Sequence, residues 1–474
     1  MRKYETLFAP DQPSIVEAPE AVLSTLTRDG KRRWIYPKPS RGRYYRARFI
    51  VAWALIALYL VLPLIPIRGR PAVLLDLMSR EFTLFGTTFY PTDTLLLMLL
   101  IVGTLVSIVL VSALLGRAWC GWACPQTVYL EFVFRPIERW IEGSERQRAR
   151  RDFEPLSLDR AWRKTLKWSA YAVVSLLLAH SLVAYFVGWG SLLDWMTRPP
   201  SEHWGYFLMM SVTTGLVLFD FAVFREQMCT ITCPYARFQS VLLDKDSLIV
   251  SYDPRRGEPR GKMRDRAVQT GDCVDCLACV RTCPVGIDIR DGLQMECVAC
   301  TQCIDACDEI MDRIQRPRGL IRFTSQNALN VGRSRILRPR TALYGVLMLV
   351  LAGLFTGTLA SRSEFEAWVV RQPGDPFMVL PDGRIANRLR FRVQNQTRTP
   401  ASFTIEVVAP SGAEVRIVGV QPIAVAANEL ALADAWVTVP QLAFDQGTAA
   451  GVFAIRFDER DVRHVDFSLI GPSR

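Results

Sequence analysis

The sequence predicts a multi-domain membrane protein: a five-helix α-helical transmembrane bundle, a ferredoxin-like insert and a C-terminal all-β, immunoglobulin-like sandwich. Three observations predict it. Five apolar stretches are long enough to cross about 30 Å of hydrocarbon at about 1.5 Å per residue. Eight of the twelve Cys fall between Cys273 and Cys307. The segment after the last apolar stretch reads as short strands and contains no Cys. Composition agrees. The 474 residues are 50% hydrophobic, and the mean hydropathy of +0.16 lies between soluble proteins and chains held wholly in lipid. The apolar fraction excludes a disordered chain.

The five expected spans are Phe49–Ile67, Thr94–Leu115, Trp168–Trp189, Trp204–Phe224 and Thr341–Ala360. Pro63 and Pro66 stand near the end of the first. It follows 48 polar residues, so it does not read as a cleaved signal peptide. Basic residues set the direction. Residues 1–48 carry 11 Lys+Arg, 116–164 carry 10 and 225–340 carry 19, against three in 68–93 and one in 190–203. By the positive-inside rule the first three segments are cytoplasmic. An odd number of spans then sends the C-terminus to the periplasmic side. The expected organisation is a basic cytoplasmic tail (1–48), a four-span membrane domain (49–245), a cytoplasmic ferredoxin-like domain (246–340), the fifth helix (341–360) and a periplasmic β-sandwich (361–474).

Within the membrane domain two hairpins, roughly 49–134 and 168–243, each end in the same motif. Cys120–Pro125 reads CGWACP and Cys229–Pro234 reads CTITCP. Both C-x3-C-P motifs follow a span, as an internal repeat would. The Pro suits the first position of a new helix. The second thiolate then sits at a helix N-terminus, which lowers its pKa and favours metal binding or redox work. If the repeats pack about a pseudo-two-fold axis, four thiolates converge at the membrane surface. Cys120, Cys124, Cys229 and Cys233 are therefore the candidate catalytic and metal-binding residues. A third iron–sulfur cluster, a copper ion held as Cu(I), and a thiol–disulfide pair all suit them. The bland alternative is four small buried hydrophobes, which duplicated spacing with a shared Pro argues against.

The insert is more specific. Cys273, Cys276, Cys279 and Cys283-Pro284 form C-x2-C-x2-C-x3-C-P, and Cys297, Cys300, Cys303 and Cys307 repeat the spacing without the Pro. Three thiolates on a tight loop take three irons of a cubane, and a remote Cys closes the fourth. In bacterial two-cluster ferredoxins that fourth Cys comes from the other motif. The expected cofactors are thus two [4Fe-4S] clusters, one on Cys273, Cys276, Cys279 and Cys307, the other on Cys297, Cys300, Cys303 and Cys283. Zinc ribbons show two separated C-x2-C pairs instead, and disulfides are rare in a reducing cytoplasm.

The C-terminal region holds Leu389–Val393, Phe403–Val408, Val415–Val420 and Val452–Phe457, rich in Val, Ile and Phe and separated by Pro and Gly. Several short strands over about 100 residues suit a two-sheet sandwich.

Other signals are fewer. His180 lies inside the third span and His203 just before the fourth, near Met196, Met209 and Met210. An intramembrane ionisable residue raises a functional hypothesis, and His with Met suits copper. A packed His among ordinary apolar Met is the favoured alternative. Asp220 and Arg225 read as a local ion pair. The net charge of +11 and the run Arg146–Arg151 mark topology and lipid headgroups, not nucleic acid. No phosphate loop, dinucleotide fingerprint or catalytic triad is present, so electrons come from a partner.

The order of basic tail, paired spans with C-x3-C-P, eight-Cys insert, fifth span and sandwich resembles the CcoG/RdxA/FixG family. The tail motif Ile35–Arg48 is similar too. The hairpins alone are shared with NapH and NosR proteins, and the sandwich separates the first family from these. The resemblance implies an inner-membrane accessory protein of the cbb-type cytochrome oxidase, reducing Cu(II) to Cu(I) for copper insertion. The partners it implies are a cytoplasmic electron donor and oxidase subunits or copper chaperones and transporters, with a homodimer left open. The alternative is an electron carrier or assembly scaffold without its own substrate. All twelve Cys fall at or inside the expected cytoplasmic surface, so reduction is expected in the inner half of the membrane.

Overall fold

The computed structural model describes residues 24–25 and 32–472, apart from 68, 79, 91–92, 152–153, 156, 263–270, 362–364, 398, 428 and 459–460. It divides into two compact units, 1–355 and 356–474.

The first unit contains helices long and apolar enough to span a membrane at Arg43–Leu64, Thr94–Leu115, Leu158–Val187 and Trp204–Phe224, and it leads into a fifth at Pro339–Ala360. Large apolar side chains stand exposed along them, as lipid-facing helices require: Ile101, Val173, Leu216 and Leu349 are examples.

Two spans differ from the sequence expectation. The first begins at Arg43, not Phe49, and ends at Leu64, with Pro63 in its final tight turn and Pro66 already in extended chain. Its basic lead-in is helical because other parts of the chain satisfy it. Arg48 is buried and its Nε donates to the Gly121 carbonyl over 2.9 Å. The free backbone N–H groups of Tyr44 and Tyr45 donate to the Asp305 carboxylate over 3.2 and 2.7 Å. A carboxylate at a helix start satisfies orphan donors and the dipole together. The third span runs back to Leu158. Its extra turns carry Arg160, Arg163, Lys164 and Lys167, which hydropathy counts against a helix. Ser157 caps them by accepting from Arg160 N–H.

Phe134 ties these spans together. It is fully buried, stacks on Phe221 at 4.6 Å and meets Tyr171 edge-on at 4.9 Å. Between the first two spans lies a small antiparallel meander, Val73–Asp76, Glu81–Leu84 and Thr87–Phe89.

In the insert, Ile249–Tyr252 pairs antiparallel with Ile321–Thr324. Two helices, Ala278–Arg281 and Gln302–Arg313, start within the cysteine loops. Ile304, Met311, Leu320 and Ile321 form its apolar centre, and the Cys side chains complete it.

The second unit is a two-sheet antiparallel sandwich. One sheet has the order Glu414–Ile417, Leu430–Val439, Ile385–Asn395, Phe365–Arg371, with Met378–Val379 beside Ile385–Asn395. The other has the order Ile423–Val425, Ala401–Ala409, Thr448–Phe457, Asp461–Ile470. Alternation builds the core: Leu389, Phe391 and Val393 point inward while Arg390 and Arg392 point out. Phe365 stacks on Phe457 at 4.8 Å. This unit is the expected immunoglobulin-like sandwich. The expected strand Val415–Val420 stops at Ile417, ahead of Gly419, whose φ of 131° leaves the strand region.

Candidate functional site

The two cysteine triplets fold alike. In the first loop Asp275 and Leu277 take φ of 49° and 57°; in the second Ala299 and Thr301 take 54° and 62°. Each pair flanks the middle Cys, Cys276 or Cys300. Left-handed backbone is costly for residues with a Cβ and collects at functional sites. Here it curls both loops into concave cradles of backbone N–H groups.

The structure brings the eight Cys into two sets. Cys307 feels the charges of Cys279, Cys273 and Cys276. Cys303 feels those of Cys300, Cys297 and Cys283 most strongly, then Cys279 of the other set. The fourth member of each set thus comes from the opposite motif. Each set lines its own small space, one beside Cys273, Cys276, Cys279 and Cys307, the other beside Cys283, Cys297, Cys300 and Cys303 with Cys279 at its edge. Burial pushes the Cys279 and Cys283 thiols up to about 12 and Cys297 to about 11. Such thiols stay protonated near neutral pH unless a metal ligates them and takes the proton's place. Concave loops, paired spaces and buried thiols together fit two iron–sulfur clusters.

The C-x3-C-P motifs lie beside the second set. Cys120 is on a short helix, Ala118–Trp122, and Cys124 precedes the helix that Pro125 opens. Cys229 is in a wide turn, Met228–Thr232, and Cys233 precedes the helix opened by Pro234. Both prolines take the first helical turn, as their missing N–H allows. The four sulfurs come together: Cys229 feels Cys124, Cys120 and Cys233. Burial pushes Cys229 up to about 12. Cys124 does receive the backbone N–H groups of Gln126 and Thr127, but burial outweighs them and its thiol is raised, not lowered. Cys120 Sγ also donates to Gln239 Oε1 over 2.9 Å, and Gln239 is held by Ser112 and Tyr235.

Gly121 joins this quartet to the second cysteine loop. A Cβ there would stand 2.5 Å from the Val298 carbonyl oxygen and 2.8 Å from the Ala299 carbonyl carbon. Only glycine permits that approach. Arg117 adds a bond to the Met295 carbonyl, and Cys120 is near enough to Cys297 to raise its pKa. The three thiol groups therefore form a row: the Cys273 set, the Cys297 set, then the C-x3-C-P quartet.

A buried charge network supports the row and was not read from sequence. Glu131 pairs with Arg135 and accepts from Gln302 Nε2 over 3.1 Å. Arg135 Nη2 donates to the Pro284 carbonyl over 3.0 Å. Glu138 accepts from Arg225 and Arg148, and from the Tyr171 hydroxyl over 2.6 Å. Arg225 thus pairs with Glu138, not Asp220, which accepts from Gln126 Nε2 over 3.1 Å. A motif search misses such pairs because the partners are far apart in sequence.

His180 and His203 stand apart from the thiols. His180 Nδ1 lies 2.8 Å from the Leu176 carbonyl of its own helix. His203 packs 5.5 Å from the Trp195 ring at the far end of the fourth span. Among the described residues, no three His, Cys, Asp or Glu side chains close around a single-ion position. Cubane thiolates bind separate irons and need wider spacing.

Residues 224–326 match the family described as a 4Fe-4S dicluster domain, and 94–143 match a 4Fe-4S binding domain. Residues 355–472 match the IG-like fold at the C-terminal of FixG. Protein RdxA of Cereibacter sphaeroides is 34% identical over 444 residues, covering 90% of this chain and 93% of its own. Nitrogen fixation protein FixG of Rhizobium meliloti is 33% identical over 494 residues, covering 93% and 94%. Protein RdxB of Cereibacter sphaeroides is 32% identical over 425 residues, covering 85% and 87%.

Proposed function

The chain belongs to the FixG/RdxA family of iron–sulfur membrane proteins, and on that premise we propose that it reduces Cu(II) to Cu(I) in the assembly of a cbb-type cytochrome oxidase. Cys273, Cys276, Cys279 and Cys307 would hold one [4Fe-4S] cluster, and Cys297, Cys300, Cys303 and Cys283 the other. When bound, the clusters supply one-electron transfer. Cys120, Cys124, Cys229 and Cys233 would receive the copper ion as substrate. Thiolates suit Cu(I), so the quartet favours the reduced product. Each Cu(II) takes up one electron, supplied at the start by a cytoplasmic donor.

The observation that carries this reading is the Gly121 contact, which gives the quartet and the second cysteine loop a common wall. Arg117 and Arg48 hold that wall in place through the Met295 and Gly121 carbonyls. The basic flanks support an inner-membrane protein with its N-terminus and thiols on the cytoplasmic side. Residues 246–340 would then serve as the electron entry domain. Residues 361–474 would face the periplasm, where the sandwich is free to dock on an oxidase subunit or copper chaperone.

A second reading, an electron carrier or scaffold without its own substrate, draws on the absence of a single-ion position among the described residues. Trapping Cu(I) from purified protein, supplied with a chemical reductant and Cu(II), separates the two. The copper reading expects wild type to form Cu(I), and Cys120→Ser/Cys229→Ser with full iron content to form at least ten-fold less. Equal output from the variant removes the site assignment. No Cu(I) from wild type favours the carrier.

A further inference from the structure

A large cavity lies on the same side of the spans as the thiols, and electron transfer makes no use of it. It holds about 720 Å³ between the start of the third span, the end of the fourth and the 138–151 helices. That lies within the roughly 300–1,000 Å³ of ordinary small-ligand pockets. Eight Arg and Lys side chains line it against two carboxylates, Glu138 and Glu142. Both carboxylates are already taken. Glu138 lies between Arg148 and Arg225, and Lys167 reaches Glu142 over 2.7 Å.

Arg32 and Arg163 pair with Glu226 and Asp159 outside the lining, and Arg151 and Arg160 donate to the Glu142 and Glu154 carbonyls, so cations still outnumber carboxylates around the cavity. Arg148 is 3% exposed, and its Nε and Nη2 have no hydrogen-bond partner. An unpaired buried guanidinium edge is costly, and a planar fork of this kind matches phosphate oxygens. Arg32 Nε is likewise buried without a partner. Lys164 lines the cavity as well. Part of the lining is apolar: Trp168 and Val223 belong to it and are 41% and 36% exposed along the third and fourth spans.

We propose that this cavity binds the headgroup of an anionic phospholipid carrying more than one phosphate. The phosphates would sit against Arg148, Arg151 and Lys164, and the acyl chains would leave over Trp168 and Val223 into the bilayer. Basic pockets between helices at the membrane surface recognise such headgroups. A soluble phosphate compound would satisfy the cations but leave the apolar part unused, so the lipid is the occupant the lining favours.

Native mass spectrometry of the full chain, released from detergent micelles doped with cardiolipin or phosphatidylcholine, tests this. Wild type should retain cardiolipin at least ten-fold more tightly than phosphatidylcholine. Arg151→Glu/Lys164→Glu should lose that preference. Arg333→Glu/Arg335→Glu, exposed charges before the fifth span, should keep it. Lys164→Gln, at an exposed side chain, should weaken it several-fold and keeps the test open if the double variant fails to fold. Equal preference in all variants would overturn the proposal, because diffuse charge would then account for the binding. Inorganic pyrophosphate binding as tightly as cardiolipin would overturn it too, by making the ligand a soluble phosphate.

Discussion

Gly121 of the first C-x3-C-P motif rests on the backbone at Ala299 of the second ferredoxin loop, and a Cβ at 121 would fall 2.8 Å from the Ala299 carbonyl carbon. Backbone cannot move aside as a side chain can. Gly121→Val should therefore push the two loops apart without removing any thiol. Cu(I) formation by the purified variant should fall at least ten-fold while its iron content stays at the wild-type level. Wild-type turnover in Gly121→Val would show that the contact does not matter.

The first span depends on Asp305 for its start. The carboxylate accepts from Tyr44 and Tyr45 N–H over 3.2 and 2.7 Å, on a helix that also carries Cys303 and Cys307. Capping bonds of this kind contribute about 0.5–2 kcal/mol. Asp305→Ala should lower the thermal midpoint of the detergent-solubilised protein, whereas Asp305→Asn, which keeps one acceptor, should recover part of the loss.

Glu138 anchors the buried charge network. Burial opposes its ionisation, but the charges of Arg225 and Arg148, with hydrogen bonds from Arg225 and Tyr171, outweigh it and hold the carboxyl at about 2 against a usual 4.5. A depressed folded-state pKa gives stability that is fully present above about 4.5 and is lost as pH falls through about 2. Glu138→Gln should remove that acid-dependent component from a pH series of unfolding midpoints. At neutral pH it should cost about 3–5 kcal/mol, because it leaves Arg148 buried without its counterion.

Iron and acid-labile sulfide counts test the crossed pairing of the cysteines. Wild type should contain about eight of each in the insert. Cys307→Ser and Cys283→Ser belong to different sets, so each should lower the count by about half. The double variant should approach none. Losses that coincide in one cluster would contradict the pairing.

The spans, the sandwich and the eight-Cys insert were legible because each has a local signature: apolar length, alternation and fixed spacing. The crossed grouping of the cysteines was an expectation from the spacing, since two-cluster ferredoxins take each fourth Cys from the other motif. Other features depend on contacts distant in sequence. Hydropathy starts the first span at Phe49 because it counts Arg48 as a lipid-facing charge, but that side chain bonds to the Gly121 carbonyl. Asp220 and Arg225 looked like a pair at helical spacing, but a wide turn, Asp220–Phe224, and the φ of 55° at Arg225 send the guanidinium to Glu138 instead. Gly121 stood within the motif as an unremarked spacer residue, because its neighbour lies in a loop far along the chain.

The most direct test of the account is a single-turnover experiment. Wild type and Cys120→Ser/Cys229→Ser are reduced chemically, freed of reductant and mixed with Cu(II) while the iron–sulfur absorbance and trapped Cu(I) are followed together. The account predicts that wild type reoxidises with one Cu(I) formed per electron lost, and that the variant, with its eight ferredoxin cysteines intact, reoxidises at least ten-fold more slowly. Reoxidation of the variant at the wild-type rate, with the same yield of Cu(I), would contradict it.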